Sequence, residues 1–278
     1  MIRIENATYA YSKGNNLVFR NLSLTLERGK VYGLLGENGV GKSTLLYLMM
    51  GLLRPSKGTV LVEGLEAWKR HSGTLAQFYL VPEETDLPPM RLSTYVSSRM
   101  PFYPRFSNEV LRDCLKEFQL TLDTNLNSLS MGAKKKVLIS FGLACGASYL
   151  LMDEPTNGLD AASKKQLRRV IARYADEDRS LVISTHQLHD VEAMLDHILI
   201  LKDSGLLLDE SAASLTGRLS FCSLTEEEME GREVLYAERS LDGYAALCRR
   251  REGDEETPLG LELLFNAATT NININNVC

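Results

Sequence analysis

Apolar and polar residues alternate from the start of the chain. Ile2 and Ile4 point one way and Arg3 and Glu5 the other, the pattern of a strand buried on one face. Leu22, Leu24 and Leu26 repeat that period before a turn at Glu27-Arg28-Gly29-Lys30. Residues 31–35 then form a short apolar run into a glycine-rich turn. Residues 43–52 carry helical spacing, stopped by Gly51 and Arg54-Pro55. Another short strand is predicted at 60–62. The segment 84–128 changes character, with prolines at 88, 89, 101 and 104 and a helical run near 108–118. After it the pattern predicts a helix (131–146), a strand (149–152), a helix (161–174) and strands at 181–184 and 198–201. Strands alternating with helices make a mostly parallel sheet covered on both faces. Beyond 205 the rhythm breaks into short segments around an acidic loop at 251–257. The Asn-rich stretch 269–278 reads as a frayed end.

The 278 residues leave room for one large domain or one domain with an appendage. Domains are accordingly expected at 1–209, with an inserted helical subdomain at about 84–146, and at 210–278, a small acidic accessory unit. The formal charge of −5 is unevenly placed: residues 1–205 hold 25 Lys and Arg against 22 Asp and Glu, and residues 206–278 hold 6 against 14. No basic stripe argues for a nucleic-acid partner. The run Lys134, Lys135, Lys136 reads as a solvated helix face. No apolar run approaches the ~20 residues that cross a bilayer, and the start MIRIENATYAY lacks a secretory apolar region. Five cysteines without a CxxC pair read as reduced thiols of a cytoplasmic protein.

The chemistry concentrates at two places. Gly36-Glu37-Asn38-Gly39-Val40-Gly41-Lys42-Ser43-Thr44 fits G-x-x-x-x-G-K-[ST] and lies between a predicted strand and a predicted helix. Such a loop curls backbone N–H groups around phosphate oxygens at a helix N-terminus. Lys42 then reaches the β- and γ-phosphates, and the Ser43 hydroxyl ligates Mg²⁺. Farther on, the apolar run 149–152 ends in Asp153-Glu154-Pro155, which places two acids at the carboxyl edge of the sheet. Asp153 is a candidate Mg²⁺ ligand, and Glu154 a candidate to orient or deprotonate the attacking water. His186 follows the next strand and is expected at the same edge. His189 and His197 have no such placement.

Together these elements resemble the nucleotide-binding subunits of ABC transporters, over about residues 1–205. Leu129-Ser130-Met131-Gly132-Ala133-Lys134 is similar to the family signature LSGGQ, in the expected order between Lys42 and Asp153. The resemblance implies an α/β P-loop NTPase fold with N-terminal antiparallel strands. It implies ATP and Mg²⁺ as ligands, Asn157-Gly158-Leu159-Asp160 as the D-loop, and His186 as the switch histidine. Tyr11, with Tyr9 as the fallback, is the aromatic that stacks on adenine. Ser130 and Gly132 serve the γ-phosphate across a dimer, near Asp160. Glu83 takes the place of the Q-loop glutamine and is carried over as a metal ligand.

Three positions depart from the family. Met131 and Ala133 replace a signature glycine and its glutamine, and Glu83 adds charge beside an anionic ligand. Glu83→Gln is expected to leave ATP affinity similar or better and to raise turnover or partner coupling, since it removes that charge; the opposing outcome is a loss, if local basic groups have adapted to the carboxylate. The stretches 100–106 and 258–265 resemble exporter subunits of drug or antibiotic type. The implied partners are a membrane permease and a second ABC ATPase subunit, identical or not, with attachment to the cytoplasmic face of the membrane. Two competing readings are a soluble ABC ATPase acting on ribosomes or nucleic acid, and a low-turnover regulatory subunit. The single loop and signature, 87 residues apart between Lys42 and Ser130, argue against the first.

Overall fold

The computed structural model describes residues 1–11, 17–241, 243–251 and 253–270. The alternation at the start of the chain forms β1 (Ile2–Ala10), antiparallel to β2 (Leu17–Leu26), with Ile2 opposite Leu26 and Ile4 opposite Leu24. On its other edge β1 pairs with β4 (Lys57–Val62), which folds back on β5 (Leu65–Glu66). The apolar run forms β3 (Val31–Leu35), followed by α1 (Lys42–Met49). A short helix α2 (Ser72–Leu75) leads into β6 (Phe78–Val81).

β3 belongs to a six-stranded sheet with β7 (Tyr149–Asp153), β8 (Ser180–Thr185), β9 (His197–Lys202) and β10 (Gly205–Ser211). Its order is β10-β9-β3-β8-β7-β6, parallel except at the edge pair β10–β9. Side chains alternate across it with period two. Tyr32, Leu34, Leu151, Val182 and Leu199 join a core with α1 and the antiparallel sheet. Leu35, Leu150, Met152, Ile183 and Ile200 face the opposite core. Burial on both faces explains why these strands read as continuous apolar runs.

The helical insertion comprises α3 (Leu92–Arg99), α4 (Asn108–Glu117) and α5 (Met131–Ala144). Tyr103 and Phe106 pack on Phe141 with ring centroids 5.9 and 5.3 Å away, whereas Phe102 is 72% exposed. Only part of the aromatic stretch 100–106 therefore faces solvent. α6 (Ala161–Tyr174) covers the sheet beyond β7.

The boundary expected at 209/210 falls inside β10. After it, α7 (Ala212–Arg218) leads to an antiparallel sheet of order β11-β13-β12, built from β11 (Leu219–Leu224), β12 (Val234–Ser240) and β13 (Gly243–Arg249). The short α8 (Glu226–Glu230) sits between β11 and β12, and the closing α9 (Leu261–Thr269) rests on β12, β13 and the 3-10 turn Leu188–Asp190. Leu247, Leu261 and Leu264 belong to the same core as α5, α6 and the large sheet. Of the stretch expected to fray, Thr269 ends α9, and residues 271–278 lie outside the described residues.

Candidate functional site

β3 delivers the chain into the glycine loop, and α1 takes it away at Lys42. Gly41, at φ 112°, caps that helix, and a Cβ there would lie 2.6 Å from Val18 Cγ1. Both the backbone sign and the space demand glycine. Lys42 is 7% exposed. Its Nζ donates to the carbonyls of Gly36 (2.9 Å) and Glu37 (3.3 Å) and lies 3.4 Å from Glu154 Oε1.

The two acids end β7 and are both buried. Ser184 Oγ, from the neighbouring β8, donates to Asp153 Oδ1. Glu154 adopts φ 45°, the left-handed region, which costs an L-residue roughly 1–2 kcal/mol. Several bonds hold it there. Its N–H donates to the Ser184 carbonyl at 3.0 Å, and its own carbonyl accepts from Lys135 Nζ at 2.7 Å and from Asn157 N–H at 3.2 Å. Glu154 Oε1 lies 2.9 Å from His186 Nδ1. Oε2 is buried and has no hydrogen-bond partner among the described residues.

These groups line one cavity of about 590 Å³. One wall is Tyr11, Asn38, Gly39, Gly41, Lys42, Ser43 and Thr44; the other is Glu83, Asp153, Glu154, Asn157 and His186. Gly36, Glu37 and Val40 complete the loop without lining the cavity. Tyr11 is exposed at the mouth, its hydroxyl 2.8 Å from Thr44 Oγ1. Tyr9 packs edge-on to Tyr11 but is buried, and burial pushes its hydroxyl pKa up.

Ser130, Gly132 and Asp160 do not line the cavity. Ser130 caps α5 on the surface, accepting from Ala133 N–H. Gly132 is packed so closely on the D-loop that a Cβ would sit 2.6 Å from the Gly158 carbonyl oxygen. Asp160 caps α6, and hydrogen bonds from Ser163 hold its carboxyl below the usual range.

Glu83 Oε1 accepts from Asn157 Nδ2 (3.1 Å), and Asn157 Oδ1 from Gln187 Nε2 (3.0 Å). Lys164 in turn bonds Gln187 (3.1 Å) and pairs with Asp190 (2.6 Å). A continuous polar chain thus runs along the strand ends from Glu83 to α6. The oxygen donors of Ser43, Asp153 and Glu83 suit a hard cation such as Mg²⁺, which takes few protein ligands when phosphates complete its shell. No cluster of three or more His, Cys, Asp or Glu fit for a metal occurs among the described residues.

One expectation is corrected. Of Lys134, Lys135 and Lys136, the middle residue is not solvated: Lys135 is 1% exposed, and desolvation lowers its pKa against the pull of Glu83, Glu154 and Asp153. Its helical spacing with the buried Leu138, Ile139 and Gly142 was the sequence signal for this.

The family model described as ABC transporter matches residues 19–157. The chain belongs to the ABC transporter family. Among curated relatives, "ABC transporter ATP-binding protein YtrB" of Bacillus subtilis (strain 168) is 31% identical over 195 residues, 69% of this chain and 66% of that protein. "Lantibiotic transport ATP-binding protein SrtF" of Streptococcus pyogenes is 29% identical over 244 residues, 86% of this chain and all of that one. A putative ABC transporter ATP-binding protein of Methanosarcina acetivorans is 30% identical, covering 84% and 81% of the two chains. The fold also matches the solved ATP-binding subunit of an ABC transporter (TM-score 0.66, 23% identity, 78% and 92% covered). It matches equally a dimeric ATP-binding cassette in a post-hydrolysis state bound to ADP and Pi (TM-score 0.66, 24% identity, 76% and 98% covered). This ABC subunit is an ATP-binding ATPase of that family. No helix among its described residues is long and apolar enough to cross a membrane.

Proposed function

We propose that this ABC subunit hydrolyses ATP at a site shared between two paired subunits and thereby powers export through a separate membrane permease at the cytoplasmic face of the membrane. One observation carries the shared site. Lys42, Asp153, Glu154 and His186 gather around one cavity, while Ser130 and Gly132 lie outside it at the start of α5. A signature that does not reach its own cavity fits one that serves a partner's. With identical subunits, two-fold pairing creates two such sites and closes the interface. A different ABC ATPase as partner would complete it equally. The export reading rests on SrtF being named for lantibiotic transport. No nucleic-acid partner is part of it.

In this reading Tyr11 stacks on adenine, and the loop from Gly36 to Thr44 cradles the phosphates. Lys42 exchanges its carbonyl partners for β- and γ-phosphate oxygens. Glu154 accepts a hydrogen bond from the attacking water and takes its proton as the water oxygen bonds to the γ-phosphorus. The bond from phosphorus to the bridging oxygen breaks, leaving ADP and phosphate. His186, bonded to Glu154 Oε1, orients that carboxylate. Ser43, Asp153 and Glu83 would hold Mg²⁺, which when bound neutralises phosphate charge. Residues from about 210 onward form the accessory unit.

Glu154→Gln tests this. Turnover should fall by about 100-fold or more while ATP binding persists. Light scattering should then show a dimer that needs ATP with Mg²⁺, because the γ-phosphate binds both surfaces only in the closed pair. A monomer with ATP demonstrably bound, even at high protein concentration, would reject self-pairing and point to a different ABC subunit as partner.

A further inference from the structure

Lys135 lies one turn into α5, and its ammonium donates to the carbonyl oxygens of Glu154 (2.7 Å) and Asn157 (3.3 Å). A buried ammonium bonded to neutral carbonyls is unfavourable unless negative charge lies nearby. Asp153, Glu154 and Glu83 provide that charge. The lysine therefore does two things at once. It holds the carbonyl of a residue kept at φ 45°, so it helps fix where the Glu154 carboxylate points. It also meets Glu83 at Asn157, whose side-chain amide donates to Glu83 at 3.1 Å while the Asn157 backbone carbonyl accepts from Lys135.

We propose that Lys135 is a positioning residue for hydrolysis, clamping the Glu154 peptide to the signature helix and acting as the counter-charge that lets a carboxylate stand at position 83. Glu83 adds a negative charge at the edge of a phosphate site, and Lys135 adds a buried positive one beside the same asparagine. Glu83 is thus one of three carboxylates whose charge Lys135 offsets. For Glu83→Gln this reverses the gain expected from the sequence and selects the opposing outcome, the loss. The proposal rests on Glu154 being the group that handles the attacking water.

The test measures kcat, KM for ATP and thermal melting for K135Q, E83Q, the double variant and E154Q. K135Q should lower kcat about tenfold with KM changed by less than about threefold, since the lysine aims Glu154 without touching nucleotide. E83Q should lose about threefold or more, and the double variant should lose clearly less than the product of the two single losses, because removing one charge relieves the loss of the other. Wild-type turnover in K135Q, or a double variant as slow as the product of the two losses, would overturn the proposal. Should K135Q fail to fold, K135R, which keeps the charge and a donor, decides: turnover near wild type supports the proposal, and inactivity or misfolding rejects it. E154Q keeps the two readings apart. If E154Q still hydrolyses ATP, the Glu154 reading fails. If E154Q is inert while K135Q is unaffected, only the lysine's role fails.

Discussion

Among the described residues, the Lys42 ammonium has three oxygen partners, two from its own loop and one from Glu154. Each partner is an acceptor that phosphate oxygens can replace, so the ammonium is held in place for an anion. Lys42→Ala should weaken ATP binding by about 100-fold or more, measured by equilibrium titration with a fluorescent ATP analogue. An unchanged dissociation constant would count against the site. Lys42, Asp153 and Glu154 were legible in the sequence because their spacing and their place at strand ends identify the chemistry locally. The burial of Lys135 was signalled by its helical spacing, but its partners, like that of Ser184, were not. A lysine inside a basic run reads as solvated, and a serine inside an apolar strand reads as filler. Only the neighbouring strand and the turn after β7 give each a partner.

At the level of elements, the start of α5 and the D-loop form one packed unit, with Gly132 against the Gly158 carbonyl. Gly132→Ala places a methyl 2.6 Å from that oxygen and must push the two apart. Stability should drop by about 1–3 kcal/mol, read from denaturant unfolding. ATP binding to the isolated subunit should stay unchanged and turnover should fall, because the displaced parts are those assigned to the subunit interface. The strands of the large sheet were legible because burial on both faces writes them as apolar runs. β11, β12 and β13 were not. Their half-buried residues, such as Phe221, Tyr236 and Ala245, pack against the core that includes α9, and no regular period marks that packing in the sequence.

Across the whole molecule, the acidic last quarter is more closely joined to the rest than its composition implies. Leu264 of α9 is fully buried in the core that also contains α5 and α6. Leu264→Ala should therefore destabilise the whole chain by about 2–5 kcal/mol. Calorimetry should show one cooperative transition at lower temperature, whereas an independent accessory domain would give two. The sheet order has a further consequence, for a chain still being made. β3, which aims the phosphate loop, takes its neighbours from β8 and β9, so Val31 pairs with Leu181 and Tyr32 with His197. A nascent chain that has not yet released those strands leaves the backbone N–H and C=O groups of β3 to water, and the loop has no platform. The glycine loop is thus synthesised well before the strands that make it competent. Such distant pairings close slowly, which delays the capture of nucleotide until β9 has emerged.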